Sequence, residues 1–85
     1  KDKKIKARIL DRLRKLECGY LGHWKFVGEG VFELKMDFGC GYRIYFGQKN
    51  KQIIILLVGG DKSTQSKDIK HAQKYWKDFK ENENE

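Results

Sequence analysis

The chain has 85 residues, the size of one domain, and a formal net charge of +7 from 19 Lys and Arg against 12 Asp and Glu. Its apolar runs fall short of the roughly 18 residues that a membrane-spanning helix needs, and two cysteines, Cys18 and Cys40, are too few for a disulfide framework or a cysteine metal cluster. The basic charge favours nucleic acid or an acidic protein as a partner.

The first predicted element is an amphipathic helix over Asp2–Glu17. Its apolar stripe recurs every three or four residues and consists of Ile5, Ile9, Leu13 and Leu16. A second stripe at the same spacing is basic and consists of Lys4, Arg8, Arg12 and Lys15. The basic stripe is either a solvated face or a surface that contacts RNA or an acidic partner helix.

A meander of strands is predicted next. A short extended piece at residues 24–27 leads through a glycine turn at residues 28–30 into a strand over residues 31–38. The side chains of this strand alternate between two faces. The apolar face holds Phe32, Leu34, Met36 and Phe38, and the mainly polar outer face holds Val31, Glu33, Lys35 and Asp37.

The following strand, residues 42–46, contains an arginine among apolar and aromatic residues. Arg43 must either project from the sheet or be paired, because an unpaired buried charge is very costly. If it projects, it meets Lys35 from the preceding strand and Lys62 from a later turn, and three cations on one sheet face suit a phosphate. After a polar turn at residues 47–51, the branched-apolar residues 52–58 predict a central strand covered on both faces.

A C-terminal helix follows a break at residues 59–61. Ser63 or Thr64 is expected to cap the helix, and Asp61 to cap or brace the turn before it. The apolar stripe of this helix consists of Ile69, Ala72, Trp76 and Phe79. The order helix, strand meander, helix predicts an α+β fold with helices on one face of an antiparallel sheet.

Two blocks, residues 28–46 and 57–69, carry a family resemblance that extends over nearly the whole chain. The motifs are Gly-Val-x-Glu-Leu, then Gly-x-Gly-Tyr-Arg, then Gly-Gly-Asp-Lys-Ser-x-Gln. They resemble the addiction module killer protein group of the RelE/ParE toxin superfamily, close to HigB. Cys40 stands where that family usually has a proline. The family's first strand and first helix would precede Lys1, so we expect them to be absent from residues 1–85, read as one RelE-like domain.

The resemblance implies a cytoplasmic toxin of a type II toxin–antitoxin module that cleaves mRNA on the ribosome. A 2′-hydroxyl attacks the adjacent phosphate, which requires cations, a base and an acid but neither metal nor cofactor. Arg43 corresponds to the family's strand arginine, and Lys35 and Lys62 to its basic positions. The expected partners are a cognate antitoxin and mRNA on the ribosome, but no membrane, and a higher-order toxin–antitoxin oligomer is a further expectation.

The general base is the least specified part of this prediction, since members of the family use tyrosine, lysine or histidine. Lys35 is the first candidate and Asp68 the second. Tyr45 is a candidate to stack on an RNA base or else a core aromatic. Arg8 and Arg12 are candidates to contact RNA.

Glu33 is expected to pair with Lys35 or Arg43 and thereby to orient the cations. Two alternative functions stay open at this point. One is a ParE-type toxin that inhibits DNA gyrase without catalysis, because that branch shares the fold and often the strand arginine. The other is an inactive basic RNA-binding domain.

Overall fold

The computed structural model describes residues 2–17, 24–36, 41–50 and 52–83. In chain order the elements are α1 Asp2–Glu17, β1 Trp24–Phe26, β2 Val31–Lys35, β3 Arg43–Lys49, β4 Gln52–Gly59, a 3₁₀ turn Lys62–Thr64 and α2 Gln65–Glu83. Within these residues the strands form one antiparallel sheet in the order β1-β2-β3-β4. The predicted α+β fold with an antiparallel meander is confirmed.

The turn between β1 and β2 depends on left-handed backbone, as its glycines predicted. The φ angles of Gly28, Glu29 and Gly30 are 96°, 55° and 81°, a region that glycine adopts at no steric cost. A Cβ on Gly30 would also lie 2.7 Å from the indole nitrogen of Trp76. The glycine at this position therefore serves both the turn and the packing of α2.

The sheet has an apolar cluster on each face, because side chains alternate along β2 and β3. One cluster contains the buried residues Leu34, Met36, Ile44 and Phe46, with Ile9 of α1 packed against it. The other contains Val31, Tyr45, Ala72 and Trp76 and therefore lies beneath α2. The helices thus contact opposite faces, whereas the sequence predicted both on one face.

The predicted apolar stripe of α2 is confirmed. Ala72 and Trp76 are buried, and Ile69 and Phe79 pack partly buried beside them. Trp76 lies directly over Gly47 of β3, where a Cβ would be 2.5 Å from the indole ring. None of the helices formed by the described residues has the length and apolar composition needed to cross a membrane.

Two strand predictions need correction. β3 continues through Gly47 to Lys49, where a polar turn was predicted, and Lys49 pairs with Gln52 of β4. β4 is the last strand of the described sheet, and Ile55 and Val58 are 47% and 46% exposed, so the prediction of a strand covered on both faces is wrong. An apolar run shows that both faces are apolar, but not that a neighbouring element covers them.

The C-terminal end of the second predicted strand differs as well. β2 ends at Lys35, three residues before the predicted end at residue 38. Met36 follows as a buried residue whose N–H donates to the carbonyl of Tyr42 at 2.7 Å. The predictions that concern Asp37, Phe38 and Cys40 lie outside the described residues.

Candidate functional site

A cleft of about 430 Å³ opens where β2 ends and β3 begins. It is lined by Trp24, Lys25, Glu33, Lys35, Arg43, Lys62 and Gln65. The predicted cations Lys35, Arg43 and Lys62 therefore share one site. The strand register explains this, because Lys35 is the Cα partner of Arg43 and Arg43 is the partner of Gly59, shortly before Lys62.

A fourth cation lines the cleft, and sequence reasoning missed it. Lys25 of β1 pairs in register with Glu33 of β2, and its Nζ lies 3.8 Å from Glu33 Oε1. The signal was available in the sequence: the glycine turn at residues 28–30 sets the hairpin register, and the two-residue period of strands then places Lys25 beside Glu33.

Glu33 is a buried carboxylate in the cleft lining, with 3% of its surface exposed. Its Oε2 accepts a hydrogen bond from Gln65 Nε2 at 2.8 Å, and its Oε1 lies 3.9 Å from Arg43 Nε. The predicted pairing of Glu33 with Arg43 is confirmed, but the predicted polar outer face is not, because α2 covers it. A buried carboxylate requires such partners.

Arg43 lines the cleft while being 7% exposed. Its Nη1 donates to the carbonyl of Gly41 at 3.2 Å. Its Nε is buried and has no hydrogen-bond partner among the described residues, although the Glu33 carboxylate is its ion-pair partner. These contacts involve Nε and one N–H of Nη1, so they leave Nη2 and the second N–H of Nη1 as donors for a ligand.

Tyr45 lies in the core and not in the cleft. It is fully buried in the cluster beneath α2 and is the Cα partner of Glu33. Burial, followed by the nearby Glu33 carboxylate, raises the pKa of Tyr45 far above its usual value. The Glu33 carboxylate is close enough to raise the pKa of this hydroxyl, but the hydroxyl makes no hydrogen bond to any described residue. Of the two predictions for Tyr45, the structure places it as a core aromatic.

The remaining predicted site residues lie elsewhere. Asp68 Oδ2 accepts a hydrogen bond from Thr64 Oγ1 at 2.7 Å and lies against Gly59, where a Cβ would approach it to 2.6 Å. Arg8 and Arg12 lie on α1. None of these residues is among those that line the cleft.

The turn that carries Lys62 is held by a side-chain cap. Asp61 Oδ1 accepts hydrogen bonds from the hydroxyl and, at 2.9 Å, from the backbone N–H of Ser63. These bonds lower the pKa of Asp61. The prediction that Asp61 caps the turn before the helix is therefore confirmed. The cap holds the turn from which Lys62 reaches the cleft.

The arrangement provides four cationic side chains around one buried carboxylate, so the cleft has an excess of positive charge suited to a phosphate group. The guanidinium of Arg43 is held by one hydrogen bond and by the ion pair with Glu33, while Lys35 and Lys62 are exposed. No group of three or more His, Cys, Asp or Glu side chains in the described part of the chain is arranged to hold a metal ion.

Comparison with known proteins finds a family whose model covers most of the chain. The model of the family described as phage derived protein Gp49-like (DUF891) matches residues 1–77. An uncharacterized protein of Haemophilus influenzae is 49% identical over 73 residues, which cover 86% of this chain and 74% of that protein. No solved structure matches the chain. The family match includes every residue that lines the cleft.

Proposed function

The chain belongs to the phage-derived Gp49-like family, and we propose that it is the toxin of a type II toxin–antitoxin module that cleaves mRNA on the ribosome. Membership of the family is consistent with a toxin. The finer assignment is supported by the killer-protein motifs, which resemble the RelE branch, and dependence on the ribosome and a cytoplasmic site of action follow from that resemblance.

The observation that carries the proposal is the convergence of Lys35, Arg43 and Lys62 in one cleft. These residues come from β2, β3 and the turn before α2, so only the fold brings them together. Arg43 would bind a phosphate oxygen through Nη2 and stabilise the charge that develops on the phosphorane. The cleft volume of about 430 Å³ accommodates a phosphate with part of its nucleotide.

The proposed reaction is an internal transesterification. The 2′-oxygen forms a bond to phosphorus, the bond from phosphorus to the 5′-oxygen breaks, and the products are a 2′,3′-cyclic phosphate and a 5′-hydroxyl. We assign the proton acceptor for the 2′-hydroxyl to the neutral amine form of Lys35 and the proton donor for the 5′-oxygen to the ammonium form of Lys62, because both side chains line the cleft. Asp68 is not assigned a role, because it lies outside the cleft lining.

The experiment is primer extension on mRNA from cells that express the protein, the double variant K35Q/K62Q, or the control K67Q/K74Q. Both variants remove two positive charges from exposed lysines, but only the first pair lines the cleft. We expect new 5′ ends within translated frames for the protein and the control, and none for K35Q/K62Q. Cleavage by folded K35Q/K62Q at the wild-type level would contradict the assigned chemistry.

The same cells distinguish the alternatives. Growth arrest with intact mRNA and double-strand DNA breaks would indicate gyrase inhibition. Healthy cells with intact mRNA would indicate a binding domain, whose affinity for RNA falls with salt.

The proposed protein partner is an antitoxin that inserts acidic side chains among the cations of the cleft and so excludes RNA by charge complementarity. A higher-order toxin–antitoxin oligomer would follow if that antitoxin itself self-associates. Binding of the antitoxin is expected to weaken in K35Q/K62Q and to be retained in K67Q/K74Q.

A further inference from the structure

The buried carboxylate in the cleft wall, Glu33, has no direct role in the proposed reaction. Glu33 and Arg43 are the buried charged side chains among the described residues. Burying a carboxylate is costly unless its oxygens are satisfied. Glu33 does not fit the role of general base, because Oε2 is occupied by Gln65 and Oε1 faces Lys25 and Arg43. A base must reach the proton that it removes.

We propose that Glu33 is a positioning residue for Arg43, and that Gln65 and Lys25 hold the Glu33 carboxylate in the orientation that does so. We refer to Glu33, Gln65 and Lys25 as the carboxylate clasp. The inference rests on the proposed function for its catalytic consequence, but the positioning itself is a property of the folded protein.

The clasp acts on Arg43 from one side. The hydrogen bond from Gln65 fixes Oε2, so Oε1 is directed at Arg43 Nε, 3.9 Å away. The Gly41 carbonyl accepts from Nη1 on another side of the guanidinium. Contacts at two nitrogens restrict the plane of the guanidinium, and its remaining N–H groups are then available to a phosphate in the cleft that Arg43 lines.

The clasp also connects two elements that form the cleft. Glu33 lies on β2, and Gln65 is the first residue of α2, directly after the 3₁₀ turn that carries Lys62. A bond between them ties the start of α2 to the sheet. It therefore sets the position of Lys62 relative to Arg43 across the cleft, and small displacements between catalytic groups cost large factors in rate.

The first test measures Arg43 directly. In protein labelled with ¹⁵N at its four arginines, the Nε–Hε signal of Arg43 is assigned by its loss in R43K. The E33Q side chain still accepts from Gln65 but has no charge. We expect E33Q to shift this signal and to speed its exchange with water by about tenfold, because loss of the negative charge 3.9 Å from Nε favours removal of the Nε proton by hydroxide. The control E83Q removes the remote ion pair between Lys49 and Glu83 and should change neither.

An unchanged Arg43 signal in folded E33Q would overturn the proposal. If E33Q does not fold, Q65M replaces it, because it removes the donated hydrogen bond and keeps the carboxylate. The Arg43 signal should shift in Q65M as well. An unchanged Arg43 signal in folded Q65M would also overturn the proposal.

The second test measures the consequence for the reaction. We expect E33Q to lower the rate constant for RNA cleavage at saturating RNA by about 10- to 100-fold, with a smaller change in KM, and E83Q to cleave normally. A wild-type rate in E33Q would overturn the role in catalysis even if the signal shifts. Absence of cleavage by the wild-type protein would instead refute the proposed function, and the Arg43 signal would still decide whether the clasp positions it.

Discussion

Removal of the Arg43 side chain is expected to destabilise the whole domain, because it leaves a buried carboxylate without its arginine. Glu33 and Arg43 are 3% and 7% exposed, and their charged atoms lie 3.9 Å apart. Breaking a buried pair by deleting one partner costs about 3–5 kcal/mol. The hydrogen bond from Gln65 and the partly exposed Lys25 stay in place, so the lower end, about 3 kcal/mol, is expected for R43A.

A double-mutant cycle isolates this effect. In an E33Q background the uncompensated charge is gone, so R43A should cost about 1 kcal/mol, which leaves a coupling of about 2 kcal/mol. Urea unfolding followed by the fluorescence of the buried Trp76 measures all four proteins. An R43A cost below about 0.5 kcal/mol, or equal costs in both backgrounds, would refute the reasoning.

The cycle has a practical consequence for assigning the active site. A protein of this size has a total stability of about 5–15 kcal/mol, so R43A lowers the folded population in cells as well as removing a phosphate ligand. Loss of toxicity in R43A therefore does not by itself identify Arg43 as catalytic. R43K, which keeps the charge beside Glu33 but lacks the planar fork, separates the two effects.

Three further predictions concern packing and pH. G47A places a Cβ 2.5 Å from the Trp76 ring and should lower the free energy of urea unfolding by about 1–3 kcal/mol. The control G60A has no atom within 4 Å of its Cβ and should leave that free energy unchanged. Equal effects of the two substitutions would contradict this packing. The raised pKa of Tyr45 contributes stability that is present below about pH 10 and is lost as the pH rises toward the pKa of Tyr45 in the folded protein. The free energy of unfolding of Y45F should therefore fall less in alkali than that of the wild type. Parallel curves of unfolding free energy against pH would contradict this prediction. The lowered pKa of Asp61 contributes stability that is present above about pH 4 and is lost as the pH falls further. The melting temperature of D61N should therefore fall less between about pH 5 and pH 3 than that of the wild type. An equal fall in both proteins would contradict the cap.

The local structure was largely readable from the sequence. The three- and four-residue spacing of apolar residues predicted α1 with the bounds observed, Asp2–Glu17, and the stripe by which α2 docks. Alternation predicted which side chains of β2 share a face, and the sequence identified Arg43, Lys35 and Lys62, which line one cleft. These features depend on neighbours in the chain, whose geometry follows from backbone periods of 3.6 and 2 residues.

What covers each face was decided only by the tertiary structure. Alternation puts Glu33, Lys35 and Tyr45 in predictable directions, but it does not reveal that α2 lies over Glu33 and Tyr45 and leaves Lys35 exposed.

The cleft shows the same division. The sequence predicted three of its cations. The clasp of Glu33, Gln65 and Lys25 instead depends on the register of β1 with β2 and on the position of α2, whose first residue lies 32 residues after Glu33. Periodicity is a local property of the backbone, whereas burial depends on which distant element excludes water, and that is settled only when the whole core packs.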